Sequence, residues 1–388
     1  MIVSSFVQEP FPEPGPDARA RSDALAAVIR AEIGASADGA IPFSRYMELA
    51  LYAPGLGYYS GGAAKFGPAG DFTTAPEISP LFGRCIARQV AEVLEALGGG
   101  GVLELGGGTG ALADAALEEF GRLGADPPAW SILEPSPELA DRQRRRLGDR
   151  VSCMRTLPRD FRGVILANEV ADALPVERFR IRSGRVFACR VRAADGGFAW
   201  AEGPAPADLD AGVRAVVGDA PDTLPEGYTS ELCPALGPWV SSLADSLAEG
   251  LVLLADYGLP RVEYYAPERT DGTLICHYRH RAHPDPFLWP GLQDITAWVD
   301  FTAVAEAGTR AGLTLEGFTT QAAFLAANGL AEMVADEPDD ARRARLANAS
   351  RQLVLPGEMG ERFRFIGLSR ELEPALRGFG LVDLAGRL

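Results

Sequence analysis

The sequence predicts an α/β protein built on a mainly parallel, Rossmann-like sheet, and three observations carry that prediction. Between residues 98 and 169 short apolar segments alternate with helix-patterned ones. The apolar pattern returns at Leu251-Val252-Leu253-Leu254-Ala255-Asp256, and the run Gly106-Gly107-Gly108-Thr109-Gly110 joins an apolar segment directly to a helical one. Short strands separated by helices require crossover connections, which is the wiring of a parallel sheet. At 388 residues the chain is longer than a usual single domain, so one elaborated domain or two are expected. It divides into a helical N-terminal region with a covering loop (1–97), a Rossmann-like half (98–177), an inserted α+β subdomain (178–245) and the second half of the core (246–388).

Taken in order, the opening carries Pro10, Pro12, Pro14 and Pro16, too many prolines for a helix, and helical periodicity begins near Asp17. A helix is predicted over 43–52, stopped by Pro54-Gly55. Residues 57–80 form a glycine-rich loop ahead of an amphipathic run at 81–97, and loops of that length are more often functional than connective. Then come a strand at 102–105, a helix from 111, a strand at 130–134, a helix from 137 and a strand at 163–167. Residues 178–200 alternate in strand fashion around Ser183-Gly184 and Asp195-Gly196-Gly197, both suited to hairpin turns, and read as an insertion. Beyond the strand at 251–256, two further strands are expected at 351–355 and 362–369.

Composition narrows the function classes. A formal net charge of -16 repels a nucleic-acid backbone, so no nucleic-acid partner is expected; a cationic protein or a small molecule suits it better. The cluster Arg142, Arg144, Arg145 and Arg146 reads as a solvated helix face beside Asp141 and Asp149. Five scattered cysteines without a C-x-x-C pair argue against a disulfide framework or zinc cluster and for a reducing compartment. The first twenty residues lack the cationic start and apolar run of a signal peptide, and no apolar stretch approaches the ~20 residues that span a bilayer. A cytoplasmic protein without membrane insertion is the expectation.

The glycine turn lets backbone N–H groups approach a bound group closely, since no side chain intervenes. Gly106, Gly108 and Ala111 also satisfy the dinucleotide pattern, so on this motif alone an NAD- or FAD-dependent oxidoreductase stays open. Further features favour S-adenosylmethionine. Glu104 lies inside the strand two residues before the first glycine, where a carboxylate suits the cationic end of that molecule and repels a pyrophosphate. Glu134 closes the next strand, placed for ribose hydroxyls but 134 − 106 = 28 positions after Gly106, against the ~20 usual in dinucleotide folds. Asn168-Glu169 ends a later strand on the side where open α/β sheets bind ligands.

Together these motifs resemble the MidA-type S-adenosylmethionine-dependent methyltransferases, whose mitochondrial members act as assembly factors for respiratory complex I. The resemblance spans about residues 41–370. It rests on Gly57-Tyr58-Tyr59, on residues 70–79 with Phe82-Gly83, on the glycine turn, and on the run from Asn168-Glu169 to Val176. Asp256-Tyr257-Gly258 and Gly291-Leu292-Gln293-Asp294-Ile295-Thr296 with Val299-Asp300-Phe301 complete it. Gly107 stands where the family usually has proline, and Val170-Ala171 where it has aromatic residues. The resemblance implies a seven-stranded class I methyltransferase sheet ending in an antiparallel hairpin, supplied by 351–369, and a protein substrate. Mitochondrial relatives dimethylate an arginine in a complex I subunit, so a respiratory-complex subunit is a candidate acceptor. Loss of catalysis in a protein that keeps the fold as an assembly factor is the alternative.

An arginine acceptor is protonated at neutral pH, so its nitrogens need carboxylates that hold the guanidinium fork and draw charge from one nitrogen. The candidates are Glu169 and Asp172, three residues apart and expected on one face of a helical turn, with Asp71 and Glu77 in the covering loop. The expected cofactor contacts are Glu104, Gly106, Gly108, Gly110, Glu134 and Asn168, with Gly70, Thr74 and Pro76 folding over as a lid. His277, His280 and His283 cluster, but Pro284 and Pro286 break any helix and Arg279 and Arg281 repel a cation. They read as a basic loop and not a metal site. The insertion is suited to binding substrate or to forming a homodimer, and both readings stand.

Overall fold

The structure, a computed structural model, describes residues 11–61, 73–218, 224–373 and 375–388. Its first helix, Pro16–Ala35, starts with Pro16 where the missing N–H costs nothing, and buries Leu25, Ile29 and Ile33 at helical spacing. The helix Phe43–Tyr52 buries Phe43, Tyr46, Met47 and Ala50. A third, Pro80–Leu97, is capped by Ser79, whose Oγ accepts from Leu81 N at 3.2 Å, and closed by Gly98 in the left-handed region.

The central sheet has strands β1 (Gly101–Leu105), β2 (Ala129–Leu133), β3 (Val151–Met154), β4 (Phe161–Asn168), β5 (Leu247–Leu259), β6 (Thr314–Thr320) and β7 (Phe363–Arg370). Their spatial order is β6-β7-β5-β4-β1-β2-β3, with the two-residue strand Val299–Asp300 added along the end of β5. From β3 to β5 all neighbours are parallel, and β7 lies antiparallel between β5 and β6. This is the seven-stranded, reversed-hairpin sheet expected. Alternate residues serve two cores, as a period of two requires. Val102, Val164, Leu251, Leu253 and Phe365 face the helices Pro80–Leu97 and Ala111–Arg122. Leu103, Ile165, Val252, Leu254 and Ile366 face Leu236–Ser246 and Phe301–Arg310.

The hairpin is not the one expected from sequence. Residues 351–354 end the helix Asp340–Val354 and Leu355 is its C-cap; the helix is capped at its start by the Asp339 carboxylate and buries Leu346, Ser350 and Leu353 at helical spacing. The partner of β7 is β6 instead.

A second, antiparallel sheet joins Glu177–Arg182, Arg185–Ala194, Gly197–Pro204 and Thr229–Leu232 through the two predicted hairpin turns. The N-terminal strand Ala40–Ile41 pairs with Val191 and Arg192, so this sheet draws on the N-terminal region as well. A third sheet, of Ile275–Tyr278, Arg281–His283 and Asp294–Thr296, replaces the loop expected around the histidines. Both pack on the first two helices through Val191, Phe198, Cys276 and Ile295. Among the described residues no helix is long and apolar enough to cross a membrane.

Candidate active site

A cavity of about 1050 Å³ opens where β1, β2, β4 and β5 end, the crevice in which sheets of this type bind ligands. Its floor is the glycine turn. Gly106, Gly108 and Gly110 all adopt positive φ, at 62°, 52° and 81°. A Cβ at Gly107 would lie 2.8 Å from Ile132 Cγ2, and one at Gly110 2.8 Å from Leu147 Cδ1. A side chain at either position would collide with its neighbours and push the turn out of shape, so glycine keeps the backbone of the turn against the cavity. Gly106 and Gly108 line the cavity; Gly110 lies behind them, at the start of the Ala111–Arg122 helix.

Glu104 and Glu134 stand on either side of this turn and line the same cavity. Glu104 is 4% exposed, and its Oε2 accepts from Trp130 Nε1 at 2.9 Å. Burial pushes its carboxyl up to about 7, against the Trp130 hydrogen bond and with help from the charge of Glu134. A cation beside it restores the ionised form. Glu134 Oε1 accepts from Ser136 N at 2.9 Å and Oε2 from Gln143 Nε2 at 3.0 Å, while the same Gln143 amide reaches Gly108 O at 3.0 Å. Gln143 thus fixes the acid of β2 relative to the turn after β1. A glycine cradle between an acid suited to a cation and an acid suited to hydroxyls fits S-adenosylmethionine.

On the far side stand Glu169 and Asp172, brought together as expected but by different geometry. Glu169 leaves β4 in the left-handed region, φ 54°, its N–H still bonded to Ala255 O at 2.9 Å. Asp172 sits in the short 3-10 turn Ala171–Ala173. What holds this turn is Asp256 of β5, whose Oδ2 accepts from the N–H groups of Val170, Ala171 and Asp172 at 3.2, 3.0 and 3.2 Å, with Oδ1 taking Tyr257 N at 2.9 Å. The Tyr257 hydroxyl donates to Asp172 Oδ2, leaving Oδ1 buried without a partner. Burial pushes Glu169 up to about 8, the charge of Asp172 adding to it while Asn168 and the Ala75 N–H oppose it. Asp172 is raised to about 6, again by burial, against the Tyr257 hydrogen bond.

From the covering segment, Thr74, Pro76 and Glu77 line the cavity, Thr74 as the N-cap residue of the short helix Ala75–Ile78 and the other two within it. Glu77 does not stand with Glu169 and Asp172: its Oε1 accepts from the Thr109 hydroxyl, tying the segment to the glycine turn. Asn168 lines the cavity with its Oδ1 buried and unpartnered. Gly70 and Asp71 lie outside the described residues. The arginine cluster lies on the helix Pro137–Leu147, where Arg142 pairs with Glu138, Arg144 with Asp141 and Arg146 with Asp114.

Sequence reasoning assigned no role to Tyr52, Tyr59, Tyr257 and Asp294, which also line the cavity. Three of them lie in motifs quoted for the family resemblance, but spacing along the chain says nothing about their meeting. The histidines do not converge. His277 and His280 line the cavity, whereas His283 is buried against the Phe11 ring, centroids 4.7 Å apart. Among the described residues no three His, Cys, Asp or Glu side chains are grouped to hold a metal.

The sheet order with its single reversed strand, and the acids framing a glycine turn, define a class I S-adenosylmethionine-dependent methyltransferase. Residues 85–319 match the family named "Putative S-adenosyl-L-methionine-dependent methyltransferase", and the chain belongs to that family. It is similar to the Danio rerio "Protein arginine methyltransferase NDUFAF7, mitochondrial", at 30% identity over 86% of this chain and 84% of that one. The Drosophila melanogaster homolog of the same name is 27% identical over 92% and 87%. A crystal structure of a Burkholderia thailandensis protein bound to S-adenosyl-homocysteine superposes with a TM-score of 0.92, at 46% identity, covering 97% of this chain and all of that one. The cofactor is S-adenosyl-L-methionine, and the nicotinamide or flavin reading falls away.

Proposed function

We propose that this methyltransferase acts on a guanidinium nitrogen of an arginine in a protein. The observation that carries the reading is the pair Glu169 and Asp172, two acids raised by burial that open on the cofactor cavity and form no ion pair with any described residue. A cation relieves such acids far more strongly than a neutral hydroxyl or amine, which offers a hydrogen bond but no charge. Among cations, the planar fork of a guanidinium matches carboxylate geometry. Two relatives bear the name protein arginine methyltransferase, which supports the same acceptor class.

In this reading Glu104, Glu134, Gly106, Gly108 and Asn168 hold the donor, with Gly110 shaping the turn. Thr74 and Pro76 cover it, and Glu77 latches the cover to Thr109. When bound, S-adenosyl-L-methionine supplies a methyl group on a sulfonium and leaves as S-adenosyl-homocysteine. Glu169 and Asp172 hold the guanidinium and draw charge from the attacking nitrogen. As the nitrogen–carbon bond forms, that nitrogen releases one proton, which Glu169 accepts, so the methylated guanidinium keeps a single positive charge.

The test supplies labelled S-adenosyl-L-methionine to lysate of cells lacking the protein and compares wild type, G108V and E169Q. Wild type is expected to label a protein that yields methylarginine on hydrolysis, a cytoplasmic or respiratory-complex protein being the first candidate. G108V loses S-adenosyl-homocysteine binding and labelling together; E169Q keeps the binding and loses about two orders of magnitude in rate. Label recovered on another residue type, or E169Q at wild-type turnover, refutes the reading.

A further inference from the structure

One buried acid of the cavity has no part in the assignment above. Asp294, in the strand Asp294–Thr296, is 3% exposed and lines the cavity with Glu169 and Asp172. Its orientation is set from outside the Rossmann-like half: Oδ1 accepts from the Tyr59 hydroxyl at 3.0 Å and from Ile295 N at 3.1 Å. Tyr59 follows the helix Phe43–Tyr52 and is held to it by its own N–H, 2.8 Å from Leu51 O. Tyr52, stacked on Tyr59 with ring centroids 5.6 Å apart and planes 19° apart, donates to Ala173 O at 2.9 Å, next to Asp172. From the other side, Ala297 N bonds Asp172 O at 3.1 Å. The tyrosine pair and the strand therefore tie Asp294 to the turn that carries Asp172.

Besides burial, the charge of Asp294 adds to that of Asp172 in raising Glu169, and a cation bound among the three carboxylates relieves it. Asp172, 6% exposed, lines the same cavity, and its Oδ1 is buried without a hydrogen-bond partner. A guanidinium presents five N–H groups in one plane, more than one carboxylate can take, so two carboxylates approaching different edges satisfy it where an ammonium would be held loosely.

We propose that Asp294 is a second acceptor-binding carboxylate, which grips the guanidinium together with Asp172, and that Tyr59 is the positioning residue that fixes it. The proposal rests on the arginine reading above and names the side chains that make it selective. Its test measures binding of Nα-acetyl-L-arginine amide, with Nα-acetyl-L-lysine amide as comparison, to enzyme saturated with S-adenosyl-homocysteine. Wild type is expected to prefer the arginine probe. D294N should weaken that probe about tenfold and erase the preference, and Y59F should weaken it about threefold. In both variants S-adenosyl-homocysteine affinity stays near wild type. D294N binding the arginine probe like wild type overturns the proposal, as does a parallel loss of S-adenosyl-homocysteine binding, which would make Asp294 a support of the fold. Should D294N not fold, Y59F with unchanged probe affinity overturns it equally. Wild type that ignores the arginine probe, or prefers the lysine probe, refutes the arginine reading itself.

Discussion

Glu169→Gln should make the protein more stable and inactive, and the stability gain should grow with pH. The Glu169 carboxyl is held at about 8 by burial and by Asp172, against an ordinary value of 4.5. An acid raised in this way keeps its proton in the folded state while the unfolded chain has released it. Stability is therefore full below pH 4.5 and is lost as pH rises toward 8. At about 1.4 kcal/mol per tenfold change in proton affinity, the limit is about 5 kcal/mol above pH 8 and about 1.4 kcal/mol at pH 5.5. Because the carboxyl faces a cavity that water can enter, about half of each is the better figure. An unfolding entropy of about 2.1 cal/mol/K per residue makes 1 kcal/mol worth about 1.2 °C in a chain of this length. E169Q should thus melt about 1 °C above wild type at pH 5.5 and about 3 °C above it at pH 8.5, apart from any offset common to both. Thermal unfolding followed by dye fluorescence in both buffers measures the difference. A gap that stays constant, or that closes as pH rises, would show that Glu169 is not held protonated by its surroundings.

Gly110→Ala combines a left-handed residue with a Cβ 2.8 Å from Leu147 Cδ1, a cost of about 2–4 kcal/mol; melting should fall by about 3–5 °C, and an unchanged melting point would show that the turn relaxes freely. Glu134→Ala removes the acid that Ser136 and Gln143 orient; calorimetric titration should show S-adenosyl-homocysteine affinity about tenfold lower or worse, with E134Q closer to wild type. Unchanged affinity in E134A would remove it from the cofactor site. Asp256→Asn sets an amide NH₂ against at least one of the four backbone N–H groups gathered there, at about 1–3 kcal/mol. Labelling of the acceptor should drop while S-adenosyl-homocysteine affinity holds, and a parallel fall in both would place Asp256 in the fold at large.

What could be read from the sequence was whatever is encoded over a few residues. The glycine turn with Glu104 before it, Glu134 at the next strand end and Asn168-Glu169 at another are local strings, and their strands form a parallel sheet that must bring those ends to one crevice. The error at 351–355 came from the same locality. Leu353-Val354-Leu355 is too short an apolar run to separate helix from strand, and what decides it is the Asp339 cap well upstream. β6 went unnoticed because Gly317 interrupts it, a glycine needed since a Cβ there would lie 2.5 Å from the Phe379 ring. Asp256 was equally hidden: nothing in Asp256-Tyr257-Gly258 shows that its carboxylate will collect three N–H groups from the turn after β4. Asp294 and Tyr59 are opposite cases of one problem, chemistry shared between residues that meet only in the folded chain.

The bond from Tyr59 to Asp294 spans 235 residues and that from Tyr52 to Ala173 spans 121. During synthesis at about 5–20 residues per second, Tyr59 waits about 12–47 s for its partner to be translated. Over that interval Glu169, Asp172 and the Tyr52 bond to Ala173 can already be in place, while Tyr59 still lacks the carboxylate that it positions. On the proposed assignment, a nascent chain exposed as far as residue 290 carries the ends of β1, β2, β4 and β5 that line the cofactor crevice and still lacks Asp294, so the arginine grip is completed after the cofactor site.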